Sequence, residues 1–430
     1  MSRVLLRSLA ALVLTVVAGL IGWRVLAPAE VLSAASTPYP NPSVGVAQVT
    51  GRANMAPLIV DGRMRVYAGK RQVRADGPVD ARRVSTARWS LRRWPVEVSG
   101  VVASGTTVIS RWSDGLLIAI DGRTGKEVWR VPTGLPSPGY EGHRTGASVV
   151  WAPPGLWVSD QFVLVKGGQR LSAYEVGSGA RRWSVEVPAG CDDGLTTRGG
   201  QFLCGTAGFS VSTGEAITPY VVGPLTPLSC VIGFSECAAL RDGQGRGYLT
   251  SPSAGAEPAA AAGPDADTGL DPTSSPKATP DPKATPTSSP RSIATSNPQA
   301  GPTADPQATP KPGSPGPLRR EPGLDNSEMS VTGTGLGRVP PGDLLLGVSR
   351  GRMVVLTASR HLQIRHAGRG GVEAEFPLAV DTEKLTWKPG LWQVTDDWVA
   401  IERLTEDGPA DPEAPEHYFT VDTVIIASLR

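Results

Sequence analysis

Four cysteines, Cys191, Cys204, Cys230 and Cys237, are the residues whose type and spacing most directly suggest chemistry. They are even in number and fall in one stretch, so in an oxidising compartment they read as two disulfides. Three pairings are open, and the local one, Cys191 with Cys204 and Cys230 with Cys237, would staple neighbouring strands or loops. Intervals of 13 and 7 residues with no histidine beside them do not fit a zinc site. The histidines converge on nothing. His361 and His366 are an odd number of residues apart on a strand pattern, which places them on opposite faces. His143 lies in the loop Y-E-G-H-R and reads as a solvated side chain. The carboxylate pairs Asp192-Asp193 and Asp396-Asp397 read as turn residues. No G-x-S-x-G, H-E-x-x-H or phosphate-cradling glycine loop occurs. The sequence therefore assigns no catalytic, cofactor-binding or metal residue, and no cofactor is expected.

The elements that would have to position any site show a repeat. Residues 115–129 read G-L-L-I-A-I-D-G-R-T-G-K-E-V-W. A strand-forming run ends at Asp121, a four-residue connection follows, and a short run returns to Trp129, which is the pattern of a β-hairpin. Asp121 can accept from a backbone N–H two residues on, and Gly125 supplies the positive φ that closes a type I turn with a bulge. Residues 169–183 repeat the pattern, with Glu175 in the place of Asp121, Ser178 of Thr124, Gly179 of Gly125 and Trp183 of Trp129. A worn copy spans 209–217, keeping Thr213-Gly214 and losing the tryptophan. Trp89 occupies the place of a further strand-end tryptophan. The segment G-L-W-V-S-D-Q-F-V-L-V from Gly155 has an echo, G-L-W-Q-V-T-D-D-W-V-A-I, from Gly390. Self-similarity at this spacing signals a repeat architecture.

The wording L-x-A, strand end, D-x-x-T-G-x-x-x-W resembles the PQQ-like β-propeller repeat of quinoprotein dehydrogenases and of BamB-type envelope assembly proteins. The resemblance implies an all-β propeller of about seven four-stranded blades. It also implies that Asp121, Thr124, Gly125, Ser178 and Gly179 shape turns while Trp129 and Trp183 pack between blades. Quinoprotein enzymes of this kind use adjacent cysteines and a calcium held by acids. No two cysteines are adjacent here, so none of their site residues carries over. Propellers can also bring distant acids to the channel mouth, which keeps a glycosidase in view.

Composition and charge narrow the class. Net charge is +2, too little for a domain that neutralises a phosphate backbone, so no nucleic-acid partner is expected. Arginine's excess over lysine and the abundance of alanine read as a high-GC, actinobacterial type of coding sequence. Arg3 and Arg7 precede an uncharged run from Ser8 to Trp23, predicting a membrane helix over 8–27 with a cytoplasmic stub, 1–7, and the bulk outside. Small residues at Leu32-Ser33-Ala34-Ala35 resemble a signal-peptidase site, but the length of the run favours an uncleaved anchor. No nearby cysteine offers a lipid attachment point, and the stub leaves no room for a kinase domain. Arg82, Arg83, Arg88, Arg92 and Arg93 form a basic stretch that reads as a solvated blade face able to meet anionic headgroups.

The organisation then runs as a tether over 28–43, a first part of the propeller over 44–250, an insertion over 251–327 and a second part over 328–430. The first blade is read as 44–94. The Gly- and Pro-rich connection 132–155 reads as a binding loop at the rim. The insertion is dominated by Pro, Thr, Ser and Ala with recurring D-P-K-A-T-P and D-P-Q-A-T-P units, a composition that cannot offset the entropy of ordering. The apolar C-terminal run V-D-T-V-I-I-A-S needs a strand partner, as when both chain ends share one blade. The expected function is a membrane-anchored, extracytoplasmic, non-catalytic binding module with an envelope protein partner. The alternative is a glycan-binding or hydrolytic propeller.

Overall fold

The computed structural model describes residues 7–8, 12–20, 24, 29–42, 45–80, 87–142, 145–159, 161–191, 194–217, 225–228, 230–231, 235–241, 247–249, 330–331, 334–335, 342–366, 371–378, 387–405 and 422–430. Among these, seven antiparallel sheets have three or more strands. Short apolar runs punctuated by glycine turns leave each sheet as a meander. The second is Val98–Ser104, Thr107–Trp112, Leu116–Asp121 and Lys126–Pro132, and the third is Leu156–Ser159, Phe162–Gly167, Arg170–Glu175 and Arg181–Glu186. The fourth is Gly194–Thr196, Gln201–Cys204, Ala207–Ser210 and Ala216–Ile217. Three strands follow at Thr226–Leu228, Ala239–Arg241 and Gly247–Leu249. Leu344–Ser349, Arg352–Leu356, His361–His366 and Val372–Pro377 form the sixth, and Ser330–Val331 pairs separately with Thr334–Gly335.

The first strands of neighbouring sheets touch one another, so they are the inner strands, and each meander runs outward. Both faces of most sheets are buried between neighbours, giving apolar clusters such as Val102, Ile109 and Leu117 against Leu156, Val163 and Val165. The first and last sheets meet through Trp398, Ala400, Val424 and Ile426 in one cluster with Leu58, Val60 and Met64. Gln393 closes this junction with its side-chain amide. It accepts from Ile59 N at 2.8 Å and donates to Ile59 O at 3.2 Å while itself buried.

The terminal sheets correct the expected boundaries. The last sheet contains Trp387–Val394, Trp398–Thr405 and Thr423–Ser428, and its outer strand is Gln48–Ala53, paired antiparallel with Thr423–Ser428. The two ends of the chain thus share one sheet, and residues 48–53 are not part of the first blade. The first sheet is Leu58–Val60, Met64–Gly69, Gln72–Asp76 and Trp89–Trp94, with a fifth strand, Ala29–Ser33, added outside Trp89–Trp94. The segment 28–43 therefore does not serve purely as a tether. Its A-E-V-L-S run is too short to announce a strand locally, and its partner lies about sixty residues on.

Residues 12–20 are helical and exposed, but among the described residues no helix is long and apolar enough to cross a membrane. Part of the predicted span 8–27, and the whole insertion 251–327, lie outside the described residues.

Candidate functional site

The turn signature builds a contact between blades. Asp121 Oδ1 accepts from Arg123 N at 2.9 Å, Oδ2 accepts from Thr124 Oγ1 at 2.9 Å, and Asp121 O accepts from Gly125 N at 2.7 Å. Ser178 Oγ donates to Glu175 Oε2 at 2.7 Å, and Gly179 N donates to Glu175 O at 2.8 Å. Gly125, Gly179 and Gly214 have φ of 67°, 71° and 76°, a region that costs other residues a steric penalty.

Each of these glycines lies under a tryptophan of the preceding blade. A Cβ would sit 2.4 Å from Trp89 at Gly125, 2.6 Å from Trp129 at Gly179 and 2.6 Å from Trp183 at Gly214. The indole N–H then donates to a backbone carbonyl three residues before the glycine. Trp89 donates to Gly122 O at 3.0 Å, Trp129 to Val176 O at 2.7 Å and Trp183 to Val211 O at 2.8 Å. Glycine is needed at these positions for two separate reasons, backbone conformation and the approach of the ring. The carbonyl acceptors carry no side-chain signal and were not legible in the sequence.

The connection between the second and third sheets is not an open rim loop. Its helix Ala147–Trp151 is buried at Ala147, Val149, Val150 and Trp151 and packs against the inner strands Val98–Ser104 and Trp387–Val394. Trp151 Nε1 donates to Pro57 O at 2.9 Å, and Ala56 N donates to Thr145 O at 2.7 Å. Thr145 Oγ1 donates to Glu402 Oε1, whose other oxygen accepts from Leu391 N at 3.2 Å. The segment therefore crosses back over the second and first sheets to the last before it enters the third. The apolar V-V-W run explains the correction, because burying it outweighs leaving it at a solvated rim.

Arg111 holds both ends of this crossing. Fully buried, it donates through Nη2 to Pro136 O at 2.6 Å and through Nη1 to Gly155 O at 3.0 Å. Burial pulls its guanidinium down to about 10, so it stays charged at neutral pH. Glu97 accepts from Tyr140 N at 3.1 Å, and that hydrogen bond, with Lys70 alongside, holds its carboxyl below the ordinary value.

The remaining candidates disperse. Cys191 is bonded to Cys204 and Cys230 to Cys237, the local pairing. His361 Nδ1 lies 3.2 Å from Ser359 Oγ, and His366 Nε2 lies 2.7 Å from Glu373 Oε1 at an exposed edge. Asp396 and Asp397 sit in a turn and pair with Arg350 at 2.8 and 3.5 Å. His143, Asp192, Asp193, Arg82 and Arg83 lie outside the described residues. The basic stretch does not share one face. Arg88 is buried and donates to Thr37 O and Arg123 O, Arg93 pairs with Glu30 and Asp114, and Arg92 is exposed. The residues do not fit a quinone and calcium centre of that kind, because the cysteines pair 13 and 7 residues apart and none is bonded to an adjacent one. Among the described residues no group of three His, Cys, Asp or Glu converges on a metal position.

Meandering sheets joined through inner strands and locked by tryptophan define a β-propeller. Residues 10–207, a little under half of the chain, match the family model described as outer membrane protein assembly factor BamB, of the PQQ-like propeller repeats. It is 37% identical over 93 residues to the serine/threonine-protein kinase AfsK of Streptomyces griseus. That match covers 22% of this chain and 10% of the kinase, so the chain spans about a tenth of the curated relative it matches. Among solved structures, BamB from Moraxella catarrhalis is 13% identical, with 89% of this chain and 86% of that one covered at a TM-score of 0.34. The Cps50 (Swd1) β-propeller domain of Myceliophteria thermophila is 10% identical, with 90% and 100% covered at 0.43.

Proposed function

We propose that this chain is a seven-bladed propeller, anchored by its N-terminal helix with the bulk outside the cell membrane, that binds a protein partner in the envelope without catalysis. The observation that carries this reading is the buried helix Ala147–Trp151 against the inner strands of the second and last sheets. It fills with apolar side chains a position where a propeller would otherwise offer a concave pocket. Binding then falls to the outer turns and edges, which suits a macromolecular partner better than a small substrate. The family description as an assembly factor supports the same class of role. In an actinobacterial type of envelope the partner would belong to a biogenesis or secretion complex.

The test is in-cell cross-linking of the tagged full-length protein, with mass spectrometry of what co-purifies. A reproducible envelope protein, lost when the propeller is removed and kept when residues 251–327 are deleted, supports the proposal. Absence of any protein above background overturns it and leaves glycan binding or hydrolysis.

A further inference from the structure

The stretch ahead of the first blade carries the small-residue run Leu32-Ser33-Ala34-Ala35, which resembles a signal-peptidase site. In the structure that run lies inside a strap on the propeller. Ala29–Ser33 pairs with Trp89–Trp94 along its whole length, from Ala29 opposite Trp94 to Ser33 opposite Ser90. Glu30 bridges to Arg93 at 3.0 Å and to Arg130 of the second sheet at 2.7 Å. Leu32, two residues on and so on the same strand face, packs with Ala35 and Tyr39 against the cluster that holds Trp89, Ile118 and Ile120.

The ties continue past the strand. Ala35 N donates to Thr124 O at 2.9 Å and lies 2.9 Å from where a Cβ at Gly125 would be, so the two backbones meet at the signature turn. The small residue at 35 thus has a packing reason. Ser36 N donates to Arg88 O at 3.3 Å, and Arg88 Nη2 donates back to Thr37 O at 3.0 Å. Tyr39 Oη donates to Asp61 Oδ2 at 3.1 Å, and the guanidinium carbons of Arg63, Arg88 and Arg123 stand 5.6, 5.3 and 5.8 Å from its ring centre. Pro40 then closes on Gly77, where a Cβ would meet the proline ring at 2.5 Å. A cut within 32–36 would strip the first sheet of its outer strand and leave Arg93 and Arg130 each one carboxylate short. It would also open the edge Trp89–Trp94 to pairing with other chains.

We propose that residues 30–40 are a permanent strap across the first two blades, and that processing of the N-terminal segment never falls within the Leu32-Ser33-Ala34-Ala35 run. The mature protein carries Glu30 and Leu32 whether or not the helix ahead of them is kept, so the inference does not need the anchored reading. The strap clasps the two blades as a pair. One end is tied to the outer strand of the first sheet, the middle to the Thr124 turn of the second, and the far end to the Asp61 turn of the first.

The experiment isolates the protein from the cells that make it, from membranes and from the medium, and reads its start by N-terminal sequencing and intact mass. A first residue at or before Glu30 is expected, and a first residue at Val31 or later overturns the inference. The anchored reading fails separately. A start between Arg24 and Glu30 on protein in the medium refutes the anchor and leaves the strap standing. Amide hydrogen exchange tests the clasp in the full-length protein. E30R/L32D sets a third cation between Arg93 and Arg130 and a carboxylate against the apolar cluster. Exchange across 89–94 should rise by at least about tenfold, well beyond any change at Arg170–Glu175 of the third sheet. A rise at 89–94 no larger than that at 170–175 overturns the clasp.

Discussion

Gly179 and Gly168 have nearly the same backbone, φ of 71° and 59°, and different surroundings. A Cβ at Gly179 meets the Trp129 ring at 2.6 Å, while one at Gly168 meets nothing within 4 Å. Gly179→Ala should therefore cost about 2–4 kcal/mol, the sum of left-handed strain and overpacking. Gly168→Ala should cost only the strain, about 1–2 kcal/mol, and urea titration of the two variants separates the contributions. Asp76 offers a second test at this scale. It is buried, its Oδ1 has no hydrogen-bond partner, and burial raises its carboxyl above the ordinary value against the pull of Arg74 and Arg65. With the folded value raised, the native state holds the proton longer than the unfolded chain. The unfavourable contribution is absent below the unfolded value and grows as pH rises through the folded one. Asp76→Asn should be at least as stable as wild type at pH 7 and lose that advantage near pH 3. A variant less stable at pH 7 than at pH 3, relative to wild type, would show that the charged form is the favoured one.

Arg111 acts on an element. Three backbone carbonyls at the ends of the crossing, those of Pro136, Pro154 and Gly155, accept from its guanidinium. Arg111→Met keeps the stem and removes the donors, so the variant should lose about 3 kcal/mol and expose the connection around 133–155 to protease before the sheets unfold. Unchanged proteolysis there would mean that the buried helix alone holds the crossing. The hairpins were legible in the sequence, because Asp121, Thr124 and Gly125 satisfy each other within five residues. The buried crossing was not, since glycine and proline describe how a chain bends and not where it packs. Nor was the fifth strand at Ala29–Ser33, whose pairing is set by a distant edge and by the ion pairs of Glu30. Of the candidate site, the turn residues could be named in advance. Their acceptors at Gly122, Val176 and Val211 could not, since any residue supplies a carbonyl.

At the scale of the whole molecule, residues 255–320 are dominated by Pro, Thr, Ser and Ala. Their composition predicts little contribution to folding, and closure entropy grows only with the logarithm of loop length. Deleting them should therefore stabilise the propeller by about 1 kcal/mol, a rise of a few degrees at most in Tm. A fall in Tm would assign them a structural part.

The last sheet has a consequence for biosynthesis. Gln48–Ala53 leaves the ribosome long before its partner Thr423–Ser428, for Thr50 and Ile426 stand 376 residues apart. At elongation rates of about 5–20 residues per second that interval is roughly 20–75 s. The sheet cannot close before residues 423–428 are made, so the early strand must wait without this partner, open to chaperones that hold extended chain.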